Sequence, residues 1–140
     1  KGKLPWPTKR GIITGHFGEH NHPVLAGIKI NNNGIDISTN KGATARAIFG
    51  GTVTGVIILP GGNKKAVIIK HGNYFTVYGN LSNVTVAKDD KVETKQEIGT
   101  IYTEAKKFKT EGHLEIWKAE ENGTSKLNPE EWILRGFKSN

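Results

Sequence analysis

Apolar residues in this chain fall in short runs, rich in Ile, Val and Thr, that are broken by glycine, proline or asparagine. Runs of that length and composition read as strands, and the breakers between them as turns. The clearest are residues 52–59, 65–70, 74–78, 98–102 and 113–118. Pro60-Gly61-Gly62-Asn63 and His71-Gly72-Asn73 join three of these in succession, which predicts consecutive hairpins in a mostly antiparallel sheet or sandwich. No long stretch carries the 3.6-residue period of a helix. One short helical piece is expected after Asn128-Pro129, where asparagine can cap and proline can open the first turn. The predicted fold class is therefore all-β with few short helices.

At 140 residues the chain is the size of one domain. Pro5 and Pro7, among Lys1, Lys3, Lys9 and Arg10, mark residues 1–10 as a basic leading segment, with a single β domain expected over 11–140. Eighteen glycines, about twice the usual share, agree with turn-rich β structure. Absence of cysteine excludes disulfides, thiolate zinc sites and thiol nucleophiles. No apolar run approaches the ~18 residues that read as a membrane span. Methionine is absent too, so Lys1 is no translational start and the chain is expected to be a fragment lacking its targeting region.

A net charge of +7 suits an acidic partner or an anionic polymer. No phosphate-cradling glycine motif and no G-x-S-x-G nucleophile turn occurs. Nor does a recognition helix or RNP-like aromatic strand accompany the basic charge, so no nucleic-acid partner is expected. His16, His20 and His22 lie close together but lack an acidic or cysteine partner at defined spacing, which favours turn-capping and packing over metal binding.

Three segments carry more chemistry. Asn31-Asn32-Asn33-Gly34-Ile35-Asp36-Ile37 puts a carboxylate at the start of an apolar strand. Strand alternation sends Glu111, His113 and Glu115 to one face, and likewise Thr76, Tyr78 and Asn80. If these strands are neighbours, the three sets line one polar groove.

At these residues the sequence resembles the lysostaphin/LytM-type zinc peptidases of bacterial cell-wall metabolism. The match runs from Phe17-Gly18 and His22-Pro23-Val24-Leu25, through Asn33-Gly34-Ile35-Asp36-Ile37 and His71-Gly72-Asn73-Tyr74, to His113-Leu114-Glu115-Ile116-Trp117 and Leu127-Asn128-Pro129. It implies the family's mostly antiparallel, duplicated-hybrid β fold. Members of the family bind zinc through the His and Asp of H-x-x-x-D and the second His of H-x-H. The first His of H-x-H and that of Y-x-H assist catalysis. Here Asn32 stands for the H-x-x-x-D histidine, Asn80 follows Tyr78 in place of the Y-x-H histidine, and Glu111 takes the first position of H-x-H. Asp36 and His113 alone keep the family's residues, and are the weak residual candidates for a metal.

That pattern is similar to the degenerate domains of EnvC-like murein hydrolase activators of the Bacteroides-group type. The resemblance implies a C-terminal fragment of a longer protein, a domain without cofactor or catalytic residues, located in the periplasmic cell envelope. Its vestigial groove of Asn32, Asp36, Tyr78, Asn80, Glu111 and His113 would bind a cell-wall amidase, with peptidoglycan a further candidate partner. Two alternatives stand beside it: a zinc-dependent endopeptidase using Asp36, His113 and Glu111, and a peptidoglycan-binding module.

Overall fold

A computed structural model describes residues 2–135, so Lys1 of the leading segment and the last five residues of the expected 11–140 domain lie outside it. The described residues form thirteen strands. These are β1 (Ile12–Gly15), β2 (Gly18–Asn21), β3 (Lys29–Asn32), β4 (Ile35–Ser38), β5 (Thr44–Arg46), β6 (Gly51–Ile58) and β7 (Lys65–His71). There follow β8 (Tyr74–Val84), β9 (Lys91–Val92), β10 (Glu97–Ile101), β11 (Thr103–Glu104), β12 (Lys109–Glu120) and β13 (Gly123–Leu127). A 3-10 turn over Pro129–Glu131 is the short helical piece expected there, and Asn128 caps it by accepting from the Glu130 N–H at 3.0 Å.

Eleven strands make one sheet with the order β1-β4-β12-β8-β7-β6-β9, to which β10 with β5, β11 and β13 attach at its sides. Every ladder is antiparallel, as the successive turns predict. β2 and β3 form a separate two-stranded hairpin. The predicted strands are all present, and two are longer than their apolar runs. β8 extends past Tyr78, and β12 begins before His113, because polar residues there still pair with neighbouring strands.

Alternation along β12 fixes the two faces of the sheet. Gly112, Leu114 and Ile116 are buried, whereas Glu111, His113 and Glu115 are half-buried on the opposite side. Across the ladder Leu114 faces Tyr78 and Ile116 faces Thr76, and these join Ile35, Ile37, Val67 and Ile69 in the core. The leading segment packs on this core as well. Trp6 is 7% exposed and donates its indole N–H to the Leu134 carbonyl at 2.9 Å, while Arg46 Nε donates to the Trp6 carbonyl at 2.9 Å.

Candidate functional site

The polar face of the sheet carries its chemistry where β4, β12 and β8 meet. His113 is paired with Asp36 on one side and Gly79 on the other. His113 Nδ1–H donates to Asp36 Oδ1 at 2.8 Å, and Nε2–H donates to Glu115 Oε2 at 2.8 Å. Carboxylates only accept, so with both ring nitrogens donating the ring is an imidazolium. Burial opposes that charge, but the hydrogen bonds and charges of Asp36 and Glu115 outweigh it and raise His113 to about 9. The His113 bond in turn lowers the Glu115 pKa against the effect of burial, helped by the Trp117 indole N–H that donates to Glu115 Oε1 at 2.8 Å.

Asn32 completes the chain at the other end. Its Nδ2 donates to Asp36 Oδ2 at 2.9 Å, and its Oδ1 accepts from the Gly34 N–H at 3.1 Å, an Asx turn that leads from β3 into β4. Two glycines make the close approach of these strands feasible. A Cβ on Gly15 would run into the Asp36 carboxylate and displace it from the row, and one on Gly34 would run into the Leu114 carbonyl of the β12 backbone.

Of the six residues expected to line the groove, the structure brings Asn32, Asp36 and His113 into one hydrogen-bonded row. Glu111 shares their face, where it accepts from the Thr14 hydroxyl and lies 3.6 Å from Lys109 Nζ. Asn80 lies alongside and donates to the Glu111 carbonyl at 2.7 Å. Tyr78 is a correction: it is 1% exposed and belongs to the core face, not the groove. The register explains it. Tyr78 sits opposite Leu114, so alternation sends both inward, and Gly79 opposite His113 is the groove-side position. A bulge follows, in which Tyr78 to Leu81 of β8 spans what Val67 to Lys65 spans on β7. Asn80, at φ 65°, takes the left-handed conformation and breaks the alternation that was expected to place it with Tyr78.

The histidine cluster divides as its capping reading expects. His22 Nδ1 accepts the Val24 and Leu25 amides at 3.0 and 2.9 Å, and His20 Nε2 donates to the His16 carbonyl at 2.7 Å. His16 Nδ1 donates to Glu130 of the 3-10 turn at 2.7 Å. Sequence reasoning placed Glu115 on the right face but left it out of the site, and missed Thr14, Gly15 and Trp117. The alternation that found Glu111, His113 and Glu115 runs on to Trp117. For Thr14 and Gly15 no local motif exists.

Zinc, which the resemblance attaches to this position, wants three protein ligands from His, Cys, Asp and Glu. The donors present do not fit. Asn32 is a neutral amide turned to Asp36 with its N–H, His113 Nε2 faces Glu115 and not the Asp36 side, and Glu111 is engaged with Thr14 and Lys109. Among the described residues no three such side chains converge on one point.

No curated protein matches the chain by sequence. Solved structures do. The catalytic domain of EnpA, a prophage-encoded M23 protein from Enterococcus faecalis, crystallised as a mutant, is 26% identical, with a TM-score of 0.72 over 94% of this chain and 98% of that one. SpoIIQ in its pore-forming complex with SpoIIIAH is 21% identical, with a TM-score of 0.72 over 96% and 92%. Lysostaphin, an antimicrobial peptidase from Staphylococcus simulans, is 15% identical, with a TM-score of 0.70 over 93% and 53%. The latter two share the fold. Residues 30–129 match the sequence profile of peptidase family M23, and the chain therefore belongs to peptidase family M23.

Proposed function

We propose that this domain is a non-catalytic member of its family that activates cell-wall amidases in the periplasmic envelope. It does so by binding an amidase segment in the groove where its relatives hold substrate. The observation that carries this reading is the residue beside Asp36: where the resemblance expects a histidine, the amide of Asn32 donates to Asp36 Oδ2, and His113 spans Asp36 and Glu115 with both ring nitrogens at 2.8 Å. Such a row presents a fixed pattern of donors and acceptors suited to recognition. It contains no imidazole poised to exchange protons near neutral pH. Asn32, Asp36, Asn80, Glu111 and His113 are the groove residues assigned to the contact, and Tyr78 supports them from beneath.

The similarity to the EnpA catalytic domain favours a second reading, a peptidoglycan endopeptidase. One assay separates the two. Dye-labelled sacculi are incubated with a cell-wall amidase, with this domain, and with both. The proposal expects release to rise only when both are present. Chelator-sensitive release by the domain alone would establish the endopeptidase, and an unchanged amidase rate would remove the activator reading.

A further inference from the structure

The core face of the same sheet holds a cavity that the groove does not use. It measures about 230 Å³ and opens at the edge where the leading segment, the loop after β5 and the 3-10 turn come together. Its walls are Phe49, Tyr74, Trp132 and Leu4, and its base is Ile48 and Ile116 beside His71 and Thr76. Phe49 is 52% exposed at the rim, so its ring is accessible to a group entering from solvent.

The two polar side chains in the base are already committed. His71 Nδ1–H donates to the Gly50 carbonyl and Nε2 lies against Thr76 Oγ1, each at 2.7 Å, and Thr76 Oγ1 lies 2.9 Å from Tyr78 Oη. The Ile48 N–H closes the chain onto Tyr78 Oη at 3.0 Å. A group entering the cavity therefore meets no free donor or acceptor at the base, and its inner end must be apolar. The mouth has the opposite character. Lys3 lines it, and Lys118 holds its ammonium 5.9 Å from the centroid of the Tyr74 ring.

We propose that this cavity is a docking site for an acidic polypeptide segment, which seats one large apolar side chain on Ile48, Phe49 and Ile116 and sets its carboxylates against Lys3 and Lys118. Size and charge select this occupant together. A cavity of about 150 Å³ suffices for benzene, so 230 Å³ takes an indole or phenyl side chain but not the length of a lipid acyl chain. Aromatic anchors in a desolvated pocket commonly dominate the affinity of such a contact. The two lysines, on a chain of net charge +7, favour acidic flanks and speed the encounter.

The probes are three blocked peptides, Glu-Glu-Trp-Glu-Glu, Glu-Glu-Ala-Glu-Glu and Lys-Lys-Trp-Lys-Lys, titrated into the isotope-labelled domain at low salt and followed by amide resonances. The first peptide is expected to move Phe49, Gly50, His71 and Tyr74 and to bind at least tenfold more tightly than the other two. Phe49→Ala should weaken it about tenfold, and Lys3→Glu about threefold, with circular dichroism unchanged. Equal binding of both tryptophan peptides would overturn the role of charge. Movement confined to Asp36 and His113 would place the contact in the groove, and dodecylphosphocholine moving the same amides more readily than the peptide would assign the cavity to lipid; either result rejects the proposal.

Discussion

His113 and His71 lie on opposite faces of one sheet and are tuned in opposite directions. On the groove face, two carboxylates hold His113 as a cation and raise it to about 9 although burial works against them. On the core face, burial lowers His71 against the single hydrogen bond that its Nδ1–H donates to the Gly50 carbonyl. The core row links the Ile48 N–H to Tyr78 Oη, Tyr78 Oη to Thr76 Oγ1 and Thr76 Oγ1 to His71 Nε2, with the His71 Nδ1 proton on the Gly50 carbonyl. The difference separates two uses of polar side chains. The core row is closed on itself and serves packing, whereas the groove row is half-open to solvent, charged, and available to a partner.

The largest test of that division is Tyr78→Ala. A buried aromatic lost from the core costs about 3–5 kcal/mol, and the deletion also strands Thr76 and the Ile48 N–H. The variant should melt far below the wild type in calorimetry. Tyr78→Phe keeps the volume but removes the hydroxyl, and should cost about 1–3 kcal/mol. If Tyr78→Phe instead leaves melting unchanged and abolishes amidase activation, Tyr78 acts in the groove and the division between the faces is wrong.

The pH dependence of stability should split along the same line. His113, with a folded pKa above its unfolded 6.5, stabilises fully below pH 6.5 and loses that contribution as pH rises through about 9. At 1.36 kcal/mol per pH unit the amount at stake is on the order of 3 kcal/mol. His71, with a folded pKa below 6.5, contributes above that pH and loses the contribution on acidification. Denaturant titrations across pH should therefore show His113→Gln flattening only the alkaline side and His71→Gln only the acid side. Both variants flattening the same side would mean that the two rows titrate as one system.

How much of this was legible beforehand follows from the same geometry. Strand positions were readable because apolar runs and glycine turns are local, and so were Asp36 and His113, which lie in ordered motifs. The groove face of β12 followed from alternation alone. Tyr78 was misplaced because alternation was carried through position 80, and a bulge is set by pairing with β7, which the sequence of β8 does not display. Glu115 escaped for a related reason: its role depends on a contact two residues away on its own strand, where a rotamer and not a motif decides. Gly15 matters only because β1 passes against Asp36, a long-range fact.

A smaller change sharpens the groove side. Asn32→His should bring a third ligand to Asp36 and His113, with Glu115 already placed to accept from the outer nitrogen of His113, as an outer-shell carboxylate commonly does. Zinc would then have to displace the His113 Nδ1 proton, so binding should strengthen at least tenfold over the wild type in calorimetry and increase with pH. Hydrolysis of sacculi should stay absent, since Asn80 and Glu111 still replace the histidines of the family. Unchanged zinc affinity would mean that the Asn32 position no longer points a donor at the old metal position.

The smallest effect is expected from Lys9→Ala and Arg10→Ala. Both side chains are exposed at the end of the leading segment, away from the Trp6 and Arg46 contacts that fix it to the core. Surface substitutions of this kind usually stay within about 0.5 kcal/mol, so melting should hardly move. Removing one positive charge from a basic domain weakens long-range attraction to an anionic partner, and that loss is screened by salt. Binding to purified sacculi should fall modestly at low ionic strength and match the wild type at high. Amidase activation at saturating domain should be unaffected at either. If instead these two substitutions abolish activation while Asp36→Asn and His113→Gln leave it intact, recognition lies on the basic edge, and the charged row of the groove face is as purely structural as the neutral row behind it.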